Sequence, residues 1–185
     1  AVYVYHEYTF DRSFTKSENI HRLVLNDEGA SESRDSHPYL LSNGYEEGFP
    51  AMESVVRAYS NAYVSDLVRI KSDWNSAFDE TDFWHVESGF LDMFDVSVLS
   101  GSTDMFDAPN TILISESVKS KLFQGENPIG ESLLIGDKEY AIICVYKDFP
   151  TNASLSPRFI ISLNTMKADE DFKAFFKGSG YHMFK

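Results

Sequence analysis

Residues 111–150 read TILISESVKSKLFQGENPIGESLLIGDKEYAIICVYKDFP. Thr111, Leu113 and Ser115 alternate with Ile112 and Ile114, the pattern of a short strand rich in β-branched and aliphatic residues. Ser115 is placed to cap a following helix, with Glu116 in the first turn, where the helix dipole favours an anion. Val118, Leu122 and Phe123 give that helix an apolar side, and Gly125 is positioned to end it. Asn127-Pro128-Ile129-Gly130 is a rigid turn, because proline fixes φ and glycine accepts a positive one. Ser132–Ile135 and Lys138–Tyr146 are two strands joined by Gly136 and Asp137, a two-residue hairpin signal. Strict alternation along the second strand puts Tyr140, Ile142, Cys144 and Tyr146 on one face, and Glu139, Ala141, Ile143, Val145 and Lys147 on the other.

The whole chain has 185 residues, enough for one good core or two small subdomains. Its apolar fraction of 43% and aromatic fraction of 15% are those of a folded protein. A net charge of −13 argues against nucleic acid and against an electrostatic hold on anionic lipid. Cys144 is the one cysteine, so no intrachain disulfide and no cysteine metal pattern exist; mid-strand, it is expected to act as a small hydrophobe. No apolar run is long enough for a transmembrane helix, and no signal-peptide pattern is present. The chain opens at Ala1 in mid-pattern, which suggests a piece of something longer.

Outward from the central stretch, Ile20–Leu25 reads as a strand and 26–36 as a polar loop. A helix is expected to start at His37 and Pro38, with Ser36 as its cap, and to stop at Gly48 and Pro50. Val55–Ile70 supplies one or two strands, completing a βαβ unit. Lys71–Asp82 reads as a polar, acidic connector. Phe83–Glu87 is a strand and Gly89–Asp95 a short helical turn, followed by Val96–Leu99 and a turn at Gly101. After Pro150 come a strand, Arg158–Leu163, and an acidic helix, Lys167–Phe176.

Three groups of words in this order resemble a known family. The central one is ISESVKSKLF, NPIGESL and VYKDFPTNASL. A second is EYTFDRSF at 7–14, followed by Ile20-His21-Arg22-Leu23. A third is Gly89–Phe94 with Leu99-Ser100-Gly101. Together they resemble the extracytoplasmic core domain of MacB-like (FtsX-like) ABC transporter permeases, in which the second group follows the first membrane helix. The family has Phe-Gly directly after the helix; here Gln124 intervenes. The resemblance implies an α+β extracytoplasmic domain of two subdomains. One is a membrane-proximal, porter-like βαβ subdomain of residues 1–70 and 151–185, its carboxyl part incomplete. The other is an inserted, mainly-β, sabre-like subdomain of residues 71–150. It also implies an inner-membrane protein with this domain in the periplasm, and a non-catalytic role coupling cytoplasmic ATP hydrolysis to substrate export or release by mechanical movement. Partners would be the flanking transmembrane helices, a cytoplasmic ATPase domain or subunit, a second permease chain and a periplasmic protein. Both termini, including Tyr3, Tyr5 and Phe10, are then expected on the membrane-facing side.

Reactive constellations are sparse. The acidic groups Asp79, Glu80, Asp82 and Asp92, Asp95, Asp104, Asp107 read as solvated loop faces, or as the carboxylates of a hydrolase. The histidines lack metal-ligand spacing, and His85, in an apolar strand, reads as a satisfied or edge histidine. No phosphate loop or nucleophile elbow occurs, so no catalytic, cofactor or metal residue is assigned, and no cofactor is expected. The residues singled out are Pro128, Ile129, Gly130 and Pro150 as structural turns. Trp74, Phe78, Trp84 and Phe90 belong to an aromatic group that is either core or a partner surface. A ligand-sensing domain, with a pocket and convergent polar groups, stays open beside the permease reading.

Overall fold

The computed structural model describes residues 12–22, 37–38, 52–60, 66–71, 73–169 and 183–184, without the side chains at 37, 38, 74, 183 and 184. Its strands are β1 (His37–Pro38), β2 (Ala58–Ser60), β3 (Asp66–Ile70), β4 (Asp73–Glu80), β5 (Phe83–Val86), β6 (Val98–Gly101), β7 (Thr111–Ser115), β8 (Ser132–Ile135), β9 (Lys138–Tyr146), β10 (Phe159–Ser162) and β11 (Met183–Phe184). The helices are α1 (Gly89–Met93), α2 (Glu116–Phe123) and α3 (Leu163–Ala168), with a 3-10 turn at Ser17–Asn19. The mixture is α+β, as expected. β1 and β11 form a small antiparallel pair, and the other nine strands form one sheet in the order β2-β5-β10-β7-β9-β8-β3-β4, with β6 beside β9.

The central stretch folds as its residues dictate. Ser115 Oγ accepts from Val118 N at 3.4 Å and starts α2. Gly136, at φ 58°, takes the first central position of the β8–β9 hairpin, with Ile135 opposite Lys138. β7 and β9 are parallel neighbours, joined through α2 and β8. The residue that ends α2 is Gln124, left-handed at φ 50°, and Gly125 follows at φ 99°. The glycine expected to stop the helix thus stands one place late.

The sheet buries both faces. Ile112, Ile114, Phe159 and Ile161 point to a face covered by Val118, Leu122 and Phe123 of α2. Leu113, Ile160 and Val86 point to the other, covered by Phe90 of α1 and by Phe106. β9 changes faces midway. Ile112 stands opposite Ile142 but Leu113 opposite Cys144, so Ile143 is the extra residue of a β-bulge. Tyr140 and Ile142 lie on the α2 face; beyond the bulge Val145 takes that face, and Cys144 and Tyr146 go to the other. The uninterrupted alternation expected from Tyr140 to Tyr146 is corrected by this one residue. Gly101 makes room for it: at φ 83°, a Cβ there would stand 2.1 Å from the Ile143 carbonyl oxygen.

Other expectations need correction. The connector expected at Lys71–Asp82 is mostly strand β4, because its antiparallel partner β3, itself held by β8, supplies the ladder that its polar sequence does not advertise. His37 and Pro38 pair with β11 and do not open a helix; the remainder of that helix, at 39–48, lies outside the described residues. Of the helix expected at Lys167–Phe176, Lys167 and Ala168 fall at the end of α3, which is capped by Ser162 and followed by Asp169; residues 170–176 lie outside the description. So do Tyr3, Tyr5 and Phe10, and most of the strand expected at Ile20–Leu25. Hydrogen bonding runs unbroken across positions 70 and 150: β3 pairs with β4 and β8, and β10 lies between β5 and β7.

Candidate functional site

Phe14 is the apolar residue of an otherwise polar run. It is 6% exposed while Arg12, Ser13, Thr15 and Lys16 around it are exposed. A turn closed by Ser17 N donating to Phe14 O, 3.0 Å, points its ring inward. Thr15 N donates to Asp95 Oδ2 at 2.5 Å and fixes the segment to the end of α1. The Phe14 ring then meets two others edge-on: Phe94 at 5.4 Å and Phe149 at 5.9 Å between centroids. Such edge-to-face pairs match the positive rim of one ring to the negative face of another.

Each partner ring is held by its own element. Phe90 and Phe94, four apart on α1, lie on one side of it with centroids 4.6 Å apart. Phe149 stands 6.1 Å from Tyr146, whose hydroxyl donates to Pro157 O at 2.7 Å. Burial, with the Asp148 carboxylate adding to it, pushes the Tyr146 phenol well above its ordinary range, so it stays a donor. The three scattered groups of words noted in the sequence therefore meet here: Phe14 from the second, Phe90 and Phe94 from the third, Phe149 from the first. Phe14 and Phe149 were not picked out from sequence; the signal was an aromatic alone in a polar run.

The turn residues have structural partners. Pro128 is buried and Ile129 packs against the α2-side core. Gly130, at φ 90°, donates its N–H to Ile142 O at 3.0 Å, and Ile142 N donates to Glu131 O at 2.9 Å. The turn thus grips β9 one residue before the bulge. Pro150 is exposed, and its carbonyl accepts from Ala153 N at 3.0 Å. Among the aromatics with two readings, Phe90 is completely buried and is core. Phe78 and Trp84 are half-buried, one against each core cluster. The Trp74 side chain lies outside the described residues.

Glu80 corrects the reading of the acidic group as a solvated face. It is 1% exposed, with Arg158 Nη1 donating to Oε2 at 2.5 Å and Lys121 Nζ 2.7 Å from Oε1, an ion pair without hydrogen-bond alignment. The carboxylate ties β4 to α2 and β10, and its two cations are taken from segments that sequence distance conceals. Glu87 does the same for β2. Burial pushes its carboxyl up, but Arg57 donates to both oxygens, at 2.8 and 3.0 Å, and with Lys167 nearby the outcome is lowered.

On the α2 side, a cleft of about 300 Å³ is bordered by His85, Lys138 and Tyr140, which also border an adjoining space of about 200 Å³ reaching Thr165 and Asp169. His85 is neither the satisfied nor the edge histidine expected: β5 lies between β2 and β10, and the Nδ1 is buried without a hydrogen-bond partner. Burial, reinforced by the Lys138 ammonium, lowers it to about 4, so the ring is neutral at pH 7. Burial pushes the Cys144 thiol up to about 11, away from nucleophilic use. Among the described residues no group of three or more His, Cys, Asp or Glu is arranged to hold a metal. Nor is any helix long and apolar enough to cross a membrane.

Three solved structures share this mixed sheet. A domain of a putative permease protein from Porphyromonas gingivalis superposes with TM-score 0.62 at 23% identity, covering 76% of this chain and 60% of that one. The extracellular domain of the noncanonic ABC-type transporter YknZ from Gram-positive bacteria gives 0.53 at 21%, covering 74% and 67%. The periplasmic region of MacB from Actinobacillus actinomycetemcomitans gives 0.52 at 17%, covering 68% and 56%. Residues 2–180 match the MacB-like periplasmic core domain, and the chain belongs to that family, the extracytoplasmic domain of ABC transporter permeases. No curated protein matches the sequence.

Proposed function

We propose that this domain is a non-catalytic mechanical element. It passes movement of the permease's membrane helices, driven by a cytoplasmic ATPase domain or subunit, to the space outside the inner membrane, where substrate is exported or released. The observation that carries the proposal is the docking of Phe14 between Phe94 and Phe149. In this family the EYTFDRSF segment follows a membrane helix, so a shift of that helix pulls on Phe14 and, through α1 and β9, on the sheet. The two parts assigned from sequence, 1–70 with 151–185 as the membrane-facing part and 71–150 as the inserted part, interleave in one sheet, which favours transmission as a unit. The same reading supplies a second permease chain and a periplasmic protein as partners.

Full-length permease with its ATPase, reconstituted in vesicles, tests this. Phe14→Ala and Phe149→Ala should leave basal ATP hydrolysis intact and reduce transport at least fivefold. Unchanged transport in a folded Phe14→Ala variant overturns the proposal. The hydrolase alternative gains nothing from Glu80, whose carboxylate is occupied by Arg158 and Lys121.

A further inference from the structure

α1 ends in a way that its sequence does not favour. Val96 N donates to Leu91 O at 2.8 Å and Phe94 N to Phe90 O at 3.1 Å, while Leu91 and Val96 both pack against the α1-side core. In a helix end of this kind the residue between Phe94 and Val96 turns left-handed, and glycine takes that place most readily. Here it is Asp95, at φ 49°. The position is unfavourable twice: a side chain at positive φ strains the backbone, and the carbonyl end of a helix disfavours an anion. What Asp95 has and glycine lacks is a carboxylate, and that carboxylate reaches away from the helix. Its Oδ2 accepts from Thr15 N, 80 positions distant in the chain, at 2.5 Å. The neighbours of the two bonded residues are Phe14 and Phe94, whose rings meet edge-on. Apolar ring contact is non-directional and tolerates sliding; a hydrogen bond to one backbone N–H does not. Another aspartate at positive φ, Asp82, uses its carboxylate locally, accepting from Thr81 Oγ1.

We infer that Asp95 is the positioning residue for the amino-terminal segment. Its carboxylate sets the register in which Phe14 enters between Phe94 and Phe149, and an aspartate stands at a glycine position for the sake of that hold. The rings grip the segment, and Asp95 keeps it from slipping when it is pulled. The inference rests on the reading of this dock as the place where membrane movement enters the domain.

Hydrogen exchange at the Thr15 amide and urea unfolding of the 185-residue chain separate the hold from the helix end. Asp95→Gly and Asp95→Ala both remove the acceptor and should accelerate Thr15 exchange about fivefold. Asp95→Asn keeps an acceptor oxygen in a residue that tolerates a left-handed backbone, and should stay within about twofold of the parent. The urea midpoint should follow the backbone instead, with Asp95→Gly above Asp95→Ala. In the full-length permease with its ATPase, Asp95→Gly should lower transport and Asp95→Asn should restore it. A Thr15 amide that stays protected in Asp95→Gly, or that exchanges as fast in Asp95→Asn as in Asp95→Gly, overturns the inference; so does an Asp95→Ala chain as stable as Asp95→Gly. Transport unchanged in Asp95→Gly but reduced in Phe14→Ala overturns it and spares the reading of the dock. Transport unchanged in both, with Thr15 released in Asp95→Gly, overturns that reading and leaves the hold on Thr15 standing.

Discussion

The two faces of the sheet are built by different means. The α2 face is mainly aliphatic and in large part local: Ile112, Ile114, Val118, Leu122 and Ile142 fall within about thirty residues of one another, on a strand, its following helix and a hairpin, and strands farther along the chain add Val68, Phe83 and Phe159. The α1 face is aromatic and assembled from afar, with Phe14, Phe90, Phe106, Tyr146 and Phe149 spread along the chain. The local face is a scaffold that folds from its own pattern. The distant one is where a segment from elsewhere is gripped. One backbone irregularity, the Ile143 bulge against Gly101, decides which side chains of β9 serve which face.

The strongest way to break this division is Gly101→Ala. Its Cβ would collide with the Ile143 carbonyl in a left-handed backbone, and neither is free to move. Urea unfolding should show a loss of roughly 4 kcal/mol. A loss under about 1 kcal/mol would mean that the bulge is not fixed by Gly101.

The acid response probes the α2 face. His85 has its folded value lowered from 6.5 to about 4. The unfolded chain therefore takes up a proton first as pH falls, and stability drops between about 6.5 and 4, by roughly 3 kcal/mol in all. Denaturation series at pH 7 and 5 should show a smaller fall for His85→Gln than for the parent. Equal falls would place His85 in water.

Gly130→Val sharpens the contrast with Gly101. Gly130 has a positive φ but nothing within 4 Å of a built Cβ, so only backbone strain is paid, about 1–2 kcal/mol in the same assay. A cost equal to that of Gly101→Ala would show that space is not what separates the two. Smallest is Gln124→Gly, which relieves the left-handed residue ending α2 and should raise stability by about half a kcal/mol. A loss would mean that the Gln124 side chain holds something.

What the sequence made legible follows the same line. β7, α2, the hairpin and the positive φ of Gly130 were readable because cap, periodicity and turn chemistry all lie within a few residues. β4 was not, since Asp73–Glu80 becomes a strand through its one partner among the described strands, β3. The bulge was not, since nothing in Ile142-Ile143-Cys144 marks which residue is extra. The buried Glu80 looked like one more surface acid because Lys121 and Arg158 are remote in sequence. At the dock, Phe14 and Phe149 each looked unremarkable, and only the fold brings them to one place.

The account rests on the amino-terminal segment being held by the aromatic face, and a double-mutant cycle between Phe14→Ala and Phe149→Ala measures that directly. Edge-on rings 5.9 Å apart should give a coupling energy of about 1 kcal/mol, with exchange of the Thr15 amide accelerated in either single variant. Additive losses, with Thr15 exchanging as before, would contradict the docking of this segment and with it the proposed path from membrane to sheet.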